Sequence, residues 1–277
     1  MYNRISGSST GANQAIESNQ FAENGEFAAR LAELALQGNL SFGEVSDKMG
    51  LCCSKPHTSD AHIHTPSSSS PSISSPSSSS SPSSPPRPTV PLFDYRTAEL
   101  PGANVDGICV GLAAEWLLNL PSSPSSRMRA LRPGSQSHAS AAVRQQRYQD
   151  LWSLLRSDGA PGSHNLHAIS RTMREAGLDP SREQTRYGFG TSSHIAQIVN
   201  EIAQDPSVYL LSLRFAEGGA HTIATSTSNG MTTLFDPNYG EFTVRSNEMG
   251  DLFRSLGDRY RNLNGYDIAT VTTQKVG

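Results

Sequence analysis

The chain has 277 residues, is 35% hydrophobic, uses serine and proline heavily, and carries a formal net charge of −3. That length supports a full-sized core, but the low apolar share leaves part of it outside any core. The charge balance argues against a nucleic-acid-binding protein. No apolar run approaches the roughly 18 residues needed to span a bilayer. Three cysteines, two of them adjacent, do not make a disulfide framework and suit a reducing compartment.

Residues 1–20 are Ser-, Asn-, Gln- and Gly-rich, read as disordered, and show no apolar stretch of a Sec-type signal peptide. Residues 24–37 read as an amphipathic helix, capped by Asn24, striped by Phe27, Leu31, Leu34 and Ala35, and stopped by Gly38. Then comes Asp47-Lys48-Met49-Gly50-Leu51-Cys52-Cys53-Ser54. From Met49 it has the Met-Gly-x-x-x-Ser pattern of N-myristoylation, with Cys52 and Cys53 placed for palmitoylation. Myristoyl transfer needs a free N-terminal glycine, so an internal match has meaning only if the bond between Met49 and Gly50 is cut. One acyl chain holds a protein on a membrane marginally, and two or three hold it firmly. The competing readings are a chance match and a zinc site from Cys52, Cys53, His57, His62 and His64, although adjacent cysteines lack the spacing of structural zinc ligands. No metal or other cofactor is expected. Residues 65–88 are almost all Ser and Pro and read as an extended, soluble linker.

The folded body begins near Val90. Cys109 opens an apolar helix running to about Leu120, followed by a Ser/Pro/Arg-rich loop from Pro121 to about Ser137. A second helix spans Ser140–Arg156, with Val143, Leu151, Leu154 and Leu155 inward and Gly159 beyond its end. A third spans Leu166–Glu175, closed by Gly177, and a fourth Ser193–Gln204, with Ile195, Ile198, Val199 and Ile202 on one face. His138, His164, His167 and His194 fall on these helices or their loops and read as surface or capping residues. Strands follow over Val208–Arg214, Ala220–Thr227, Met231–Phe235, Glu241–Arg245 and Tyr266–Thr272, with a short helix at about 247–256. Helices first and antiparallel strands after predict an α+β domain.

Two features carry chemistry. A helix N-terminus favours thiolate over thiol, so Cys109 is either a nucleophile or a small buried apolar residue. The second is Asn229-Gly230, the strongest short hairpin signal. With a two-residue turn there, Ile223 falls opposite Asp236, and His221 lies one diagonal step from Asp236 on the same face. Diagonal neighbours are about 7–8 Å apart at the backbone, a gap that imidazole and carboxylate bridge. His221 and Asp236 are then a surface ion pair or the base and orienter that Cys109 needs. Asn104, in the loop before the helix, is placed to donate its amide to an oxyanion, together with the Cys109 backbone N–H.

Three blocks in order, Gly107-Ile108-Cys109-Val110-Gly111-Leu112-Ala113-Ala114-Glu115-Trp116, Gly219-Ala220-His221-Thr222-Ile223-Ala224 and Phe235-Asp236-Pro237-Asn238-Tyr239-Gly240, resemble the YopT/AvrPphB type of cysteine protease effector in papain-like clan CA. The resemblance covers about residues 90–277. It implies a papain-like fold, with helices packed on a C-terminal antiparallel sheet behind a disordered leader. It implies Cys109 as nucleophile, His221 as base, Asp236 as orienter and Asn104 as oxyanion donor. It further implies injection through a type III secretion system into a host cell, self-cleavage after Asp47-Lys48-Met49, and acylation by host N-myristoyltransferase at Gly50 and palmitoyltransferase at Cys52 or Cys53. The enzyme would then be tethered to the plasma membrane, where it cleaves host signalling proteins. Family substrates are prenylated Rho GTPases in one branch and receptor-like cytoplasmic kinases in another. The chain then divides into a leader removed by self-cleavage (1–49), an anchor and linker (50–89) and a protease domain (90–277). A papain-like acyltransferase or deamidase and a non-enzymatic, membrane-tethered adaptor stand as alternatives.

Overall fold

The structure, a computed structural model, describes residues 90–157 and 163–277. The chain divides into two units, Met1–Met49 and Gly50–Gly277, and every described residue belongs to the second. The helix expected over 24–37, the Met49-Gly50 motif, Cys52, Cys53, the zinc reading and the Ser/Pro tract lie outside the described residues. Among those described, no helix is long and apolar enough to cross a membrane.

The elements run β1 (Arg96–Glu99), α1 (Cys109–Leu118), α2 (Pro124–Ala130), α3 (Gln136–Ser157), α4 (His164–Glu175), β2 (Thr185–Gly188), α5 (Ser192–Ile202), β3 (Ser207–Phe215), β4 (Ala220–Ser228), β5 (Met231–Asp236), β6 (Gly240–Arg245), α6 (Met249–Arg259) and β7 (Ile268–Lys275). All seven strands join one antiparallel sheet in the order β1-β6-β5-β4-β3-β7-β2. The two strands missing from the sequence reading, β1 and β2, are its four-residue edges, too short to show a period.

The sheet has a core on each face. Leu210, Ala224 and Phe235 stand in one cross-strand row and share a buried cluster with Cys109, Leu112, Ala113 and Trp116 of α1 and with Ala141 and Leu151 of α3. Leu211, Leu213, Ile223 and Leu234 belong to the opposite cluster with Ile195, Ile198 and Ile202 of α5 and Leu252, Phe253 and Leu256 of α6. Strand alternation sends neighbouring residues to opposite faces, so each central strand feeds both cores.

Two expectations for the helices are corrected. The segment Pro121–Ser137 is not all loop. Ser123 accepts from the Ser126 N–H and Pro124 takes a first-turn position, starting α2. The inward face of α3 is also different: Ala141, Gln145, Tyr148 and Leu151 are buried, whereas Val143 and Leu154 are 38% and 51% exposed. The reason is close approach to α1. A Cβ on Gly111 would stand 1.9 Å from the Ala141 carbonyl oxygen, so the α3 face against it must be small or polar, and the apolar pattern pointed elsewhere.

Candidate active site

The Asn229-Gly230 turn is a two-residue connection with both residues at positive φ, 55° and 69°, the mirror-image turn whose twist suits a hairpin. Ser228 pairs with Met231, and the β4–β5 ladder continues back to Ala224 opposite Phe235. His221 and Asp236 lie just beyond its end, and His221 Nε2 hydrogen-bonds to Asp236 Oδ1 at 2.9 Å with both side chains fully buried. The other imidazole nitrogen, Nδ1, is buried and has no hydrogen-bond partner among the described residues. A buried carboxylate needs compensating donors, and Asp236 has three. Besides His221, the Asn238 backbone N–H donates to Oδ1 at 2.8 Å, and the Tyr260 hydroxyl to Oδ2 at 2.9 Å. Burial first, and the nearby Asp236 second, hold the Tyr260 phenol well above its ordinary value, so it stays protonated and donates. The Tyr260 ring lies 5.9 Å from the His221 ring and closes that side of the pair.

Cys109 is the first residue of α1 and is fully buried. The turn before the helix is closed by the Gly107 N–H donating to the Asn104 carbonyl, with Gly107 at φ 68°. Asn104 is buried, and its Nδ2 donates to Asn238 Oδ1 at 2.7 Å. Asn238 Nδ2 in turn donates to the Tyr260 hydroxyl at 3.0 Å. The loop before Cys109 is thereby tied to the residue two positions after Asp236. Further along α1, Trp116 stacks on Phe235, with centroids 5.3 Å apart and planes 5° apart, one residue before Asp236. The helix that carries Cys109 and the strand that carries Asp236 are therefore locked at two points.

The sequence profile of the Peptidase C58 family, described as Yersinia/Haemophilus virulence surface antigen, matches residues 87–276. The chain belongs to this family. It is 57% identical, over the full length of both chains, to a YopT-like candidate cysteine protease of Bradyrhizobium diazoefficiens. It is 50% identical, again over both full lengths, to another of Sinorhizobium fredii. The cysteine protease avirulence protein AvrPphB of Pseudomonas savastanoi pv. phaseolicola is 34% identical over 192 residues, 68% of this chain and 70% of that one. The AvrPphB crystal structure superposes with a TM-score of 0.63 at 30% identity, covering 67% of this chain and 99% of that one. The α+β fold is thus the AvrPphB type, and the C58 member described here is a cysteine protease.

Several residues that shape the site were not singled out in the sequence. Glu241 is fully buried and receives Arg127 Nε at 2.9 Å, Arg127 Nη2 at 2.8 Å and Trp116 Nε1 at 2.7 Å. It fastens α2 and the Trp116 end of α1 to β6. From α3, Gln145 Oε1 accepts the Val110 and Gly111 N–H groups at 3.0 and 3.4 Å, and His138 Nε2 donates to the Ala103 carbonyl at 2.9 Å. Of the four helical histidines, His138 therefore holds the backbone beside Asn104. Tyr260 and Asn238 complete the set. The only sequence-level signal for any of them was the Asp236-Pro237-Asn238 block, because the rest act across long separations.

Proposed function

We propose that the chain is a secreted effector protease that uses Cys109, His221 and Asp236 to cut peptide bonds, its own leader first. The observation that carries this reading is the buried His221–Asp236 pair: Asp236 engages Nε2 and leaves Nδ1 as the nitrogen to take a proton. In this scheme Nδ1 accepts the Cys109 thiol proton and the sulfur attacks the carbonyl carbon of the scissile bond. The Asn104 amide and the Cys109 backbone N–H hold the oxyanion. The imidazolium then gives its proton to the leaving amine as the C–N bond breaks, leaving a thioester. Water, deprotonated by His221, hydrolyses that thioester and restores the thiol. Asp236 keeps the ring oriented and stabilises the imidazolium. Asn104 has a second Nδ2 hydrogen beyond the one that it gives to Asn238, which supports its assignment to the oxyanion.

The leader completes the reading. Cleavage between Met49 and Gly50, with Asp47, Lys48 and Met49 in the substrate cleft, exposes Gly50 for myristoylation beside Cys52 and Cys53 for palmitoylation, and the protease acts on host signalling proteins at the membrane. Support comes from the acyl-acceptor pattern, which has no use unless that bond is cut, and from full-length similarity to the two rhizobial relatives. N-terminal sequencing of purified wild-type and Cys109→Ala chains is the test. Wild type should yield a fragment starting at Gly50, and Cys109→Ala should stay whole. A Gly50 fragment from Cys109→Ala refutes self-cleavage, and a wild-type fragment starting elsewhere refutes the cut site.

A further inference from the structure

The helix that carries Cys109 has no cap of its own. Its N-cap position is Ile108, which has no polar side chain, and no side-chain hydrogen bond is made there. Residues 108–111 are all buried, so water cannot serve the first-turn N–H groups in its place. The Leu112 N–H already bonds to the Ile108 carbonyl at 2.9 Å. The Val110 and Gly111 N–H groups go instead to a residue on another helix, Gln145 Oε1 of α3. Gln145 reaches them because it lies one turn beyond Ala141, against which Gly111 packs too closely for a Cβ.

The residue type matters. Asp and Glu are the strongest acceptors near a helix N-terminus because their charge complements the dipole. Here a carboxylate would stand one residue from Cys109 and oppose a thiolate. An amide oxygen satisfies both N–H groups while adding no charge. The charged or titratable groups on the elements around this helix end are Asp106 in the exposed preceding turn, His138 and Arg144 on α3, and, further along α1, Glu115, which Arg144 pairs at 2.8 Å. Gln145 is the neutral one among them, and it is 3% exposed.

We infer that Gln145 is a positioning residue of the protease: from α3 it caps the nucleophile helix with a neutral acceptor, fixing the Cys109 backbone while leaving the positive end of the helix free to favour thiolate. This rests on the reading of Cys109 as nucleophile, but its decisive test needs no substrate. The experiment uses the full chain with Cys52→Ser and Cys53→Ser, so that Cys109 is the sole thiol. The thiolate ultraviolet absorbance is titrated in reducing buffer. Gln145→Glu, close in shape and negative at neutral pH, should raise the midpoint by about one pH unit, the scale of a charge at a helix end. Gln145→Lys should lower it. Gln145→Met, which removes the acceptor and adds no charge, should leave the midpoint within a few tenths of a unit and lower the thermal unfolding midpoint. A merely structural glutamine would show lost stability in all three with no ordered shift. Coincident titrations of Gln145→Glu, Gln145→Lys and the parent chain overturn the inference. Shifted titrations in a chain that does not cut its own leader would keep Gln145 as the neutral cap of this helix but refute its role in a protease, together with the protease reading of Cys109.

Discussion

The Arg127–Glu241 contact allows a stability prediction whose size follows from burial. Arg127 is 8% exposed and Glu241 fully buried, and two guanidinium hydrogen bonds at 2.8–2.9 Å join them. Arg127→Met keeps most of the stem volume and removes the charge. It leaves the Glu241 carboxylate buried with the Trp116 N–H as its remaining named donor. Breaking a buried pair from one side costs about 3–5 kcal/mol, whereas replacing both partners by apolar groups is far milder. For a domain of this size, about 1 kcal/mol moves the thermal midpoint by roughly 2–4 °C, so Arg127→Met should lower it by about 10 °C. The double variant Arg127→Met/Glu241→Met should recover at least about half of that loss. The assay is thermal unfolding followed by circular dichroism, in a Cys109→Ala background that removes the proposed self-cleavage. A double variant no more stable than Arg127→Met would refute the argument, because it would show that the single loss came from packing and from the Arg127 hydrogen bonds to the Leu120 and Ser122 carbonyls rather than from a stranded charge. Arg127→Lys should not substitute, since an ammonium cannot make the paired contact.

Three further outcomes follow from the same geometry. Gly111→Ala should destabilise the chain by about 3 kcal/mol through overpacking against the Ala141 carbonyl; in an exposed helix the same change stabilises by about 0.5–1 kcal/mol, so the sign of the urea-midpoint shift decides. Tyr260→Phe removes the 2.9 Å hydrogen bond to Asp236, and should cost about 2 kcal/mol of stability and about tenfold in kcat with KM little changed; steady-state cleavage with wild-type kcat would contradict the orienting role. Burial, as the leading cause, pushes the Tyr148 and Tyr239 phenols up to about 12 from an ordinary value of 10.0. A raised folded-state value means that the stabilisation is complete below about pH 10 and is lost as pH rises towards about 12. Urea midpoints should therefore fall across that window, and less so in Tyr148→Phe.

What could be read from the sequence follows the range of each interaction. The His221–Asp236 pair was legible because fifteen residues and one hairpin turn separate the two, and Asn229-Gly230 determines that register locally. Cys109 at a helix start, the fourth helix with its Ile195, Ile198 and Ile202 stripe, and the run of antiparallel strands were legible for the same reason: period, cap and turn are short-range signals. The α3 face was misread because Val143 and Leu154 satisfy an apolar pattern, while the helix meets its neighbour through Ala141 and Gln145. The α2 helix was missed because the Ser/Pro/Arg-rich composition of Pro121–Ser137 reads as loop, while Pro124 in fact takes a first-turn position.

The sequence by itself determined the five inner strands of the sheet, the hairpin that pairs His221 with Asp236, and the residue types able to do cysteine chemistry. Tertiary structure alone decided how those parts are held. Arg127 finds Glu241 across 114 residues, Asn104 finds Asn238 across 134, and Val110 finds Gln145 across 35. Such contacts leave no periodic trace, because each is a single polar residue whose partner is chosen by packing of separate elements rather than by spacing along the chain.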